Sequence, residues 1–267
     1  MSNLISSLSS TLTAGINAVQ KGIVDTQTQL ASGTKNLNAA EVGIVTRLSA
    51  QATGYKSVSQ NITAGINVIN VGGTALASIS SILSQAKDIA TQAANAGLQT
   101  SDRTALNTTF SQLLTQVTSL VTNAGVNGEN VLTGGTNLVV QSGITGLAAS
   151  RTTITNLAIT LTTLGINASA VDTQANAQTA IDAMTTALNT VSTYQSTLSA
   201  TKTGLDASAA ASLSLSTNLQ ATVDSIQNVD QTALQAKLQQ LNNQQSIDYY
   251  LISQMNTAAQ AALSIFR

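Results

Sequence analysis

Four long stretches of the chain carry apolar residues at alternating spacings of three and four, and no proline interrupts them. This heptad spacing puts the apolar residues on one side of a helix and is typical of long helices packed at coiled-coil angles. Because proline removes a backbone donor and clashes with the preceding turn, its absence leaves such helices unbroken. The pattern predicts a mainly α fold built from rods.

Two of these stretches lie at the ends of the chain, and we call their apolar stripes the terminal seams. The N-terminal seam contains Ile5, Leu12, Ile16, Val19, Ile23 and Leu30. The C-terminal seam contains Leu234, Leu238, Leu241, Ile252, Met255 and Phe266. Gln245 and Asp248 interrupt the C-terminal seam. They either lie on a solvated face or fix the register of the helix, as polar seam residues can.

The other two heptad stretches lie further inside the sequence. One runs from Val45 to Leu83, and the other keeps a single heptad frame from Ile181 to Ile226. A helix over about 45–96 would be roughly 78 Å long at 1.5 Å per residue. A rod of that length predicts a helical hairpin with both chain termini at one end.

Between these stretches the apolar period changes from that of a helix to that of a strand. A shorter helix is expected from Ser101 to Thr122, capped by Ser101 or Asp102. Turn signals follow at Asn127-Gly128, Gly134-Gly135, Gly143 and Gly146. Apolar and polar residues then alternate as in half-buried strands, at Leu138 and Val140 and again at Leu157, Ile159 and Leu161. We therefore expect a long antiparallel coiled-coil helical hairpin with a small β-hairpin region at about 127–166.

The composition argues against an enzyme, a metal site or a cofactor site. The chain has no histidine and no cysteine, which are the usual general bases, nucleophiles and metal ligands. Its formal net charge of −1 provides no electrostatic attraction for nucleic acid. Membrane insertion is not expected either, since Asn61, Asn67 and Asn70 interrupt the most apolar window, about 58–85. The N-terminus shows no charged region ahead of an apolar one, so no secretory signal is expected.

Several segments, in order along the chain, resemble bacterial flagellin. They are residues 30–40 (LASGTKNLNAA), 83–95 (LSQAKDIATQAAN), 127–132 (NGENVL), 141–143 (QSG), 229–234 (VDQTAL) and 262–267 (ALSIFR). The first resembles the turn that ends the first helix of the family, and the last resembles its C-terminus. Val126 stands where the family's third element has an aromatic residue. The family's large variable outer domains have no room in 267 residues.

The resemblance implies a structural subunit of the bacterial flagellar filament that self-assembles into a helical homopolymer for swimming motility. It implies an inner terminal coiled-coil domain of residues 1–44 and 227–267 and an outer helical domain of residues 45–226. The terminal seams would then be assembly surfaces. The implied location is the extracellular flagellum, reached through the flagellar type III channel. The implied partners are the export apparatus, an export chaperone and the cap protein.

Two other kinds of protein fit parts of the pattern. A hook–filament junction protein has the same helical ends, although residues 264–267 (SIFR) favour the filament subunit. A secreted membrane-active protein would need a basic polar face or a continuous apolar run, and the sequence has neither.

Overall fold

A computed structural model describes the backbone of residues 2–265 and the side chains of residues 7–261. Its helices are α1 (Ser2–Ser32), α2 (Ala39–Ala93), α3 (Thr100–Asn123), α4 (Gln174–Gln227) and α5 (Gln231–Ile265). Its strands are β1 (Leu138–Gln141) and β2 (Arg151–Ile154), and a short 3-10 helix covers Ala148–Ser150. The predicted fold class, long helices around a small β element, is confirmed.

The long helices follow the heptad stretches closely. Helices α2 and α4 contain 55 and 54 residues. Both continue through glycine, at several positions in α2 and at Gly204 in α4. The predicted cap of α3 is wrong. Gln99 occupies the N-cap position and makes no side-chain capping bond, so Ser101 and Asp102 fall inside the first turn. Arg103 explains why this start is stable without a cap, since its Nε donates to the Ala93 carbonyl at 2.9 Å and joins α3 to the end of α2.

The β element is an antiparallel hairpin in which Leu138 pairs with Ile154 and Gln141 pairs with Arg151. The predicted strand at Leu138 and Val140 is confirmed, but the one at residues 157–161 is wrong. Ala158 has a φ of 48°, a left-handed conformation that a strand cannot accommodate. The alternation at 157–161 nevertheless reflects burial, because Leu157 and Ile159 are buried.

A tight turn at Asn127-Gly128 precedes this hairpin. Both residues have positive φ, 53° and 84°, and two reciprocal backbone bonds join Val126 to Glu129 at 2.9 and 3.0 Å. Positive φ at both central positions defines the primed turn that Asn-Gly favours. The turn predicted from this dipeptide is therefore present.

The chain forms two compact units. The middle unit comprises Ala50–Asn218, and the terminal unit comprises Met1–Ser49 and Leu219–Arg267. The middle unit holds a continuous apolar core that includes Ile62, Leu76, Phe110, Met184 and Leu205, all fully buried. In the terminal unit the buried side chains, among those described, are Ile16, Val19, Thr26, Val45 and Val223. The two units thus differ sharply in how much apolar surface they bury.

Within the middle unit, glycines of α2 let the β hairpin approach the helix closely. A Cβ placed on Gly65 would lie 2.6 Å from Cγ2 of Val140, and one on Gly54 would lie 3.1 Å from Cγ2 of Ile144. One on Gly72 would lie 3.1 Å from Cγ2 of Val131. These glycines are 11 and 7 residues apart, which places them on one side of the helix. The hairpin and the segment before it therefore pack against this glycine-lined face of α2.

Helix α2 is also long and apolar enough to cross a membrane by length and composition alone. The helix carries Ile62, Leu76, Ile79 and Leu83, which are fully buried in the core of the middle unit. A core helix passes the same test as a membrane span. Most large apolar side chains from Val58 to Leu83 are buried, whereas Val42 and Ile44 near the start of the helix are exposed.

We predict opposite effects for two glycine-to-alanine changes in α2. Gly65→Ala should destabilise the protein by about 1–3 kcal/mol, because the new methyl group would overlap Val140. The matched control is Gly73→Ala, where a Cβ has no neighbour within 4 Å. That change should stabilise by up to about 1 kcal/mol through helix propensity alone. Denaturant unfolding measures both, and equal shifts would contradict the close approach.

Candidate assembly surface

The terminal unit is built on the packing of α1 against α5. At Gly22 a Cβ would lie in ordinary van der Waals contact with Cδ1 of Leu241, at 3.4 Å, so these two residues face each other across the helix pair. Gln20 Nε2 donates to the hydroxyl of Tyr249 at 3.0 Å. These pairs run in opposite directions along the two helices, and the packing is therefore antiparallel.

The N-terminal seam lies at this interface over the part whose side chains are described. Ile16 and Val19 are buried, whereas Leu12, Ile23 and Leu30 are half-buried. Thr26 fills the next position of the stripe and is buried, with its hydroxyl donating to the Gly22 carbonyl at 2.7 Å. The side chain of Ile5 lies outside the described residues.

The C-terminal seam is covered less completely. Leu234, Leu238, Leu241, Ile252 and Met255 are all half-buried, as are the polar positions Gln245 and Asp248. Phe266 lies outside the described residues. Of residues 231–261, whose side chains the structure describes, none is buried. The spacing of the half-buried positions follows the heptad frame, but α1 covers only part of this face.

A second apolar strip on α5 is exposed, and the heptad analysis missed it. Ile247, Tyr250 and Leu251 are 59, 64 and 46% exposed and lie off the seam. Leu8 and Val24 are similarly exposed on α1. The sequence run IDYYL at 247–251 indicates this strip. Its apolar residues occupy too many neighbouring positions to lie all on the one face that forms the C-terminal seam. This strip and the half-covered seam together form what we call the terminal apolar surface.

The links that join the terminal helices to the rest of the chain lie side by side. The Lys35 amide donates to the Gln227 carbonyl at 2.6 Å, and the Val229 amide donates to the Gly33 carbonyl at 3.4 Å. Thr34 and Asn228 pair as an isolated antiparallel bridge. Gly33, with a φ of 69°, supplies the left-handed residue that ends α1. The predicted turn at 30–40 therefore also fastens the α1–α2 link to the α4–α5 link.

Capping groups fix where the two following helices begin. Asn38 and Glu41 form a reciprocal capping box in which each side chain accepts the other residue's backbone N–H at 2.9 Å. Lys35 Nζ also donates to Glu41 Oε1 at 2.6 Å. On α5, Asp230 Oδ1 accepts the amides of Thr232 and Ala233 at 2.9 and 3.1 Å. The Asn38-x-x-Glu41 spacing is a helix-start signal that can be recognised in the sequence.

The capped links carry the ion pair between Lys35 and Glu41, while other charged side chains of the terminal unit, such as Lys21 and Lys237, lie on its helices. The side-chain hydrogen bond from Lys35, followed by the backbone N–H of Asn38, holds the pKa of the Glu41 carboxyl below its ordinary value. In the part of the chain that the structure describes, no group of three acidic residues could hold a metal ion.

Comparison with known proteins identifies the family. The family model of the bacterial flagellin N-terminal helical region matches residues 2–137, slightly more than half of the 267 residues. The chain belongs to the bacterial flagellin family. Flagellins are structural proteins that assemble into the extracellular filament of the flagellum.

Among solved structures, the flagellin is similar to one described as the crystal structure of Bacillus cereus flagellin. The two chains are 24% identical and superpose with a TM-score of 0.49 over 57% of this chain and 85% of the other. No curated protein sequence matches the chain.

The lowered pKa of Glu41 gives a testable pH dependence. Because the folded state favours the carboxylate, this contact stabilises the α1–α2 link above the ordinary glutamate pKa of about 4.3. The contribution is lost as the pH falls through the lower pKa of the folded state. Lys35→Met should raise the Glu41 midpoint, as followed by NMR, toward the ordinary value. Lys56→Met, at an exposed lysine elsewhere on α2, is the control, and equal midpoints in both variants would contradict the contact.

Proposed function

We propose that this flagellin self-assembles, through its terminal apolar surface, into the flagellar filament that drives swimming. The observation that carries the proposal is the incomplete burial of α5. An isolated helix gains most of its stability in a protein by burying an apolar face, and α5 buries its seam only halfway. Neighbouring copies of the chain would cover the remainder of the seam and the strip at Ile247, Tyr250 and Leu251.

The surface chemistry supports contacts between copies of the same chain. Charged residues make up 8% of the sequence and the formal net charge is −1, so copies do not repel one another strongly. Packing a second helix on α5 would desolvate mainly apolar and uncharged polar groups, at lower cost than desolvating charges. An obligate polymer interface is expected to be apolar in this way.

The proposed domains correspond to the two units, which differ in how many apolar side chains they bury. Residues 1–44 and 227–267 would form the inner domain whose seams make the polymer contacts, and residues 45–226 would form the outer helical domain. In this proposal Leu12, Ile16, Val19, Ile23 and Leu30 act with the α5 seam as assembly residues. Gln245 and Asp248 would either face solvent or set the register between helices.

Export and delivery complete the proposal. The subunit would leave the cell through the flagellar type III channel, with an export chaperone and the cap protein as transient partners. A narrow channel requires the terminal helices to unfold easily, and few buried side chains hold them. A hook–filament junction protein remains the alternative, and the assembly experiment below separates the two.

The N-terminal helix should be ordered in the polymer but not in the monomer. We expect the amides of residues 1–40 to exchange rapidly in monomeric protein and to become protected in the polymer. Ordering this segment costs more conformational entropy than its few buried apolar side chains recover. Amides of α3, whose Phe110 and Val117 are buried in the core of the middle unit, serve as the internal control. Full protection of residues 1–40 in the monomer would contradict assembly-dependent ordering.

Assembly of the chain should depend on the terminal apolar surface. Seeded or salt-induced polymerisation of the intact chain should give long uniform tubes by negative-stain electron microscopy, and a variant lacking residues 227–267 should give none. The sharper variant is Ile247→Ser with Leu251→Ser, which alters exposed residues and leaves the seam intact. It should abolish or greatly slow polymerisation because the strip would no longer attract a neighbour.

The matched control is Gln235→Ser with Gln239→Ser, two exposed positions at the same spacing on another face of the same helix. This control should polymerise like the unaltered chain. Normal tubes from the Ile247/Leu251 variant would remove the strip from the assembly surface. Persistent monomer from the unaltered chain would contradict a filament subunit and favour the junction protein.

A further inference from the structure

The turn at Asn127-Gly128 combines features that expose an asparagine to chemical change. It is the single Asn-Gly pair in the sequence, and both residues are exposed. Glycine has no side chain to shield its backbone nitrogen or to hinder its approach to the asparagine side chain. Asparagine followed by glycine therefore deamidates more readily than asparagine followed by a larger residue.

The hydrogen bonds of the turn leave the reacting groups available. The bonds that close it join Val126 and Glu129, and neither uses the amide of Gly128. The Asn127 side chain makes no hydrogen bond among the described residues. Both residues have positive φ, as a primed Asn-Gly turn requires. The reacting atoms are thus not held by the bonds that close the turn.

Three other loop asparagines of the middle unit are held and are followed by larger residues. Asn130 donates from Nδ2 to the Val121 carbonyl at 2.9 Å and accepts the Leu132 amide at 2.8 Å. Asn156 accepts the Gly134 amide at 2.8 Å and donates to the Asn130 carbonyl at 3.1 Å. Asn137 accepts the Asn156 amide at 3.0 Å. Their side-chain carbonyls are engaged, and the residues after them carry side chains.

We propose that Asn127 is a site of spontaneous deamidation in the folded protein. The backbone nitrogen of Gly128 attacks Cγ of Asn127, the bond from Cγ to the side-chain nitrogen breaks, and ammonia leaves with the proton from Gly128. The product is a five-membered succinimide. Water then adds to either ring carbonyl, and the ring opens to aspartate or, with the main chain routed through the side chain, to isoaspartate.

The isoaspartate product has a structural consequence beyond the new negative charge. It adds a methylene group to the main chain inside a turn that two reciprocal bonds close at 2.9 and 3.0 Å. The same turn positions Asn130, whose side chain donates to the Val121 and Thr122 carbonyls at the end of α3. Isoaspartate at residue 127 should therefore loosen the C-terminal turn of α3, whereas aspartate, which tolerates positive φ, should not.

The experiment incubates the full chain in warm, mildly alkaline buffer and labels isoaspartate with an isoaspartyl methyltransferase, followed by peptide mapping. We expect label at residue 127 to accumulate several-fold faster than at any other asparagine. Asn127→Gln should remove that label. The overturning result is no label at residue 127 in native protein while the urea-unfolded chain acquires it there, since the turn would then protect the site.

A second readout separates the two products. The isoaspartate form, purified by ion exchange, should show faster amide exchange in residues 119–123 than the unmodified protein. Asn127→Asp is the matched control for charge and should leave that exchange unchanged. Equal exchange in all three forms would overturn the coupling between the turn and α3.

Discussion

The incomplete pairing of α1 with α5 is the constraint on which the rest of the terminal unit depends. Helix α5 keeps a regular stripe of half-buried residues, yet none of its side chains from 231 to 261 is removed from water completely. The middle unit shows the opposite balance, with a core that includes Ile62, Phe110 and Met184. One chain therefore combines a unit with a fully buried apolar core and a unit whose apolar side chains are only partly covered within the chain.

The low charge of the chain does not leave its polar groups without partners. On α2 and α4, threonine hydroxyls donate to the carbonyl four residues earlier, as Thr74 does to Asn70 and Thr201 does to Thr197, both at 2.9 Å. This bonding satisfies the hydroxyl within its own helix and turns it away from external partners. A surface of this kind can be covered by another helix without breaking ion pairs, and the described residues contain only those of Lys35 with Glu41 and Lys202 with Asp206.

The sequence predicts the helices well because their heptad period extends over many turns. Single polar interruptions such as Gln245 and Asp248 do not obscure a period of that length. It predicts the β element less well. At residues 157–161 the alternation of Leu157 and Ile159 reports burial, but a left-handed residue at Ala158 interrupts the strand geometry. The strand instead forms at Arg151–Ile154, where the pairing with β1 and the close approach to Gly65 decide the register. Such long-range contacts leave no local pattern, and the exposed strip on α5 was missed because the seam explained the same helix already.

The fastening between the two links has a mechanical consequence. Because the Lys35 amide bonds to the Gln227 carbonyl and Val229 bonds to Gly33, a force pulling on α1 is shared by the backbone that leads into α5. The paired links therefore couple α1 and α5 at their link ends, so that a displacement of one helix is passed to the other without relying on the apolar contacts between them.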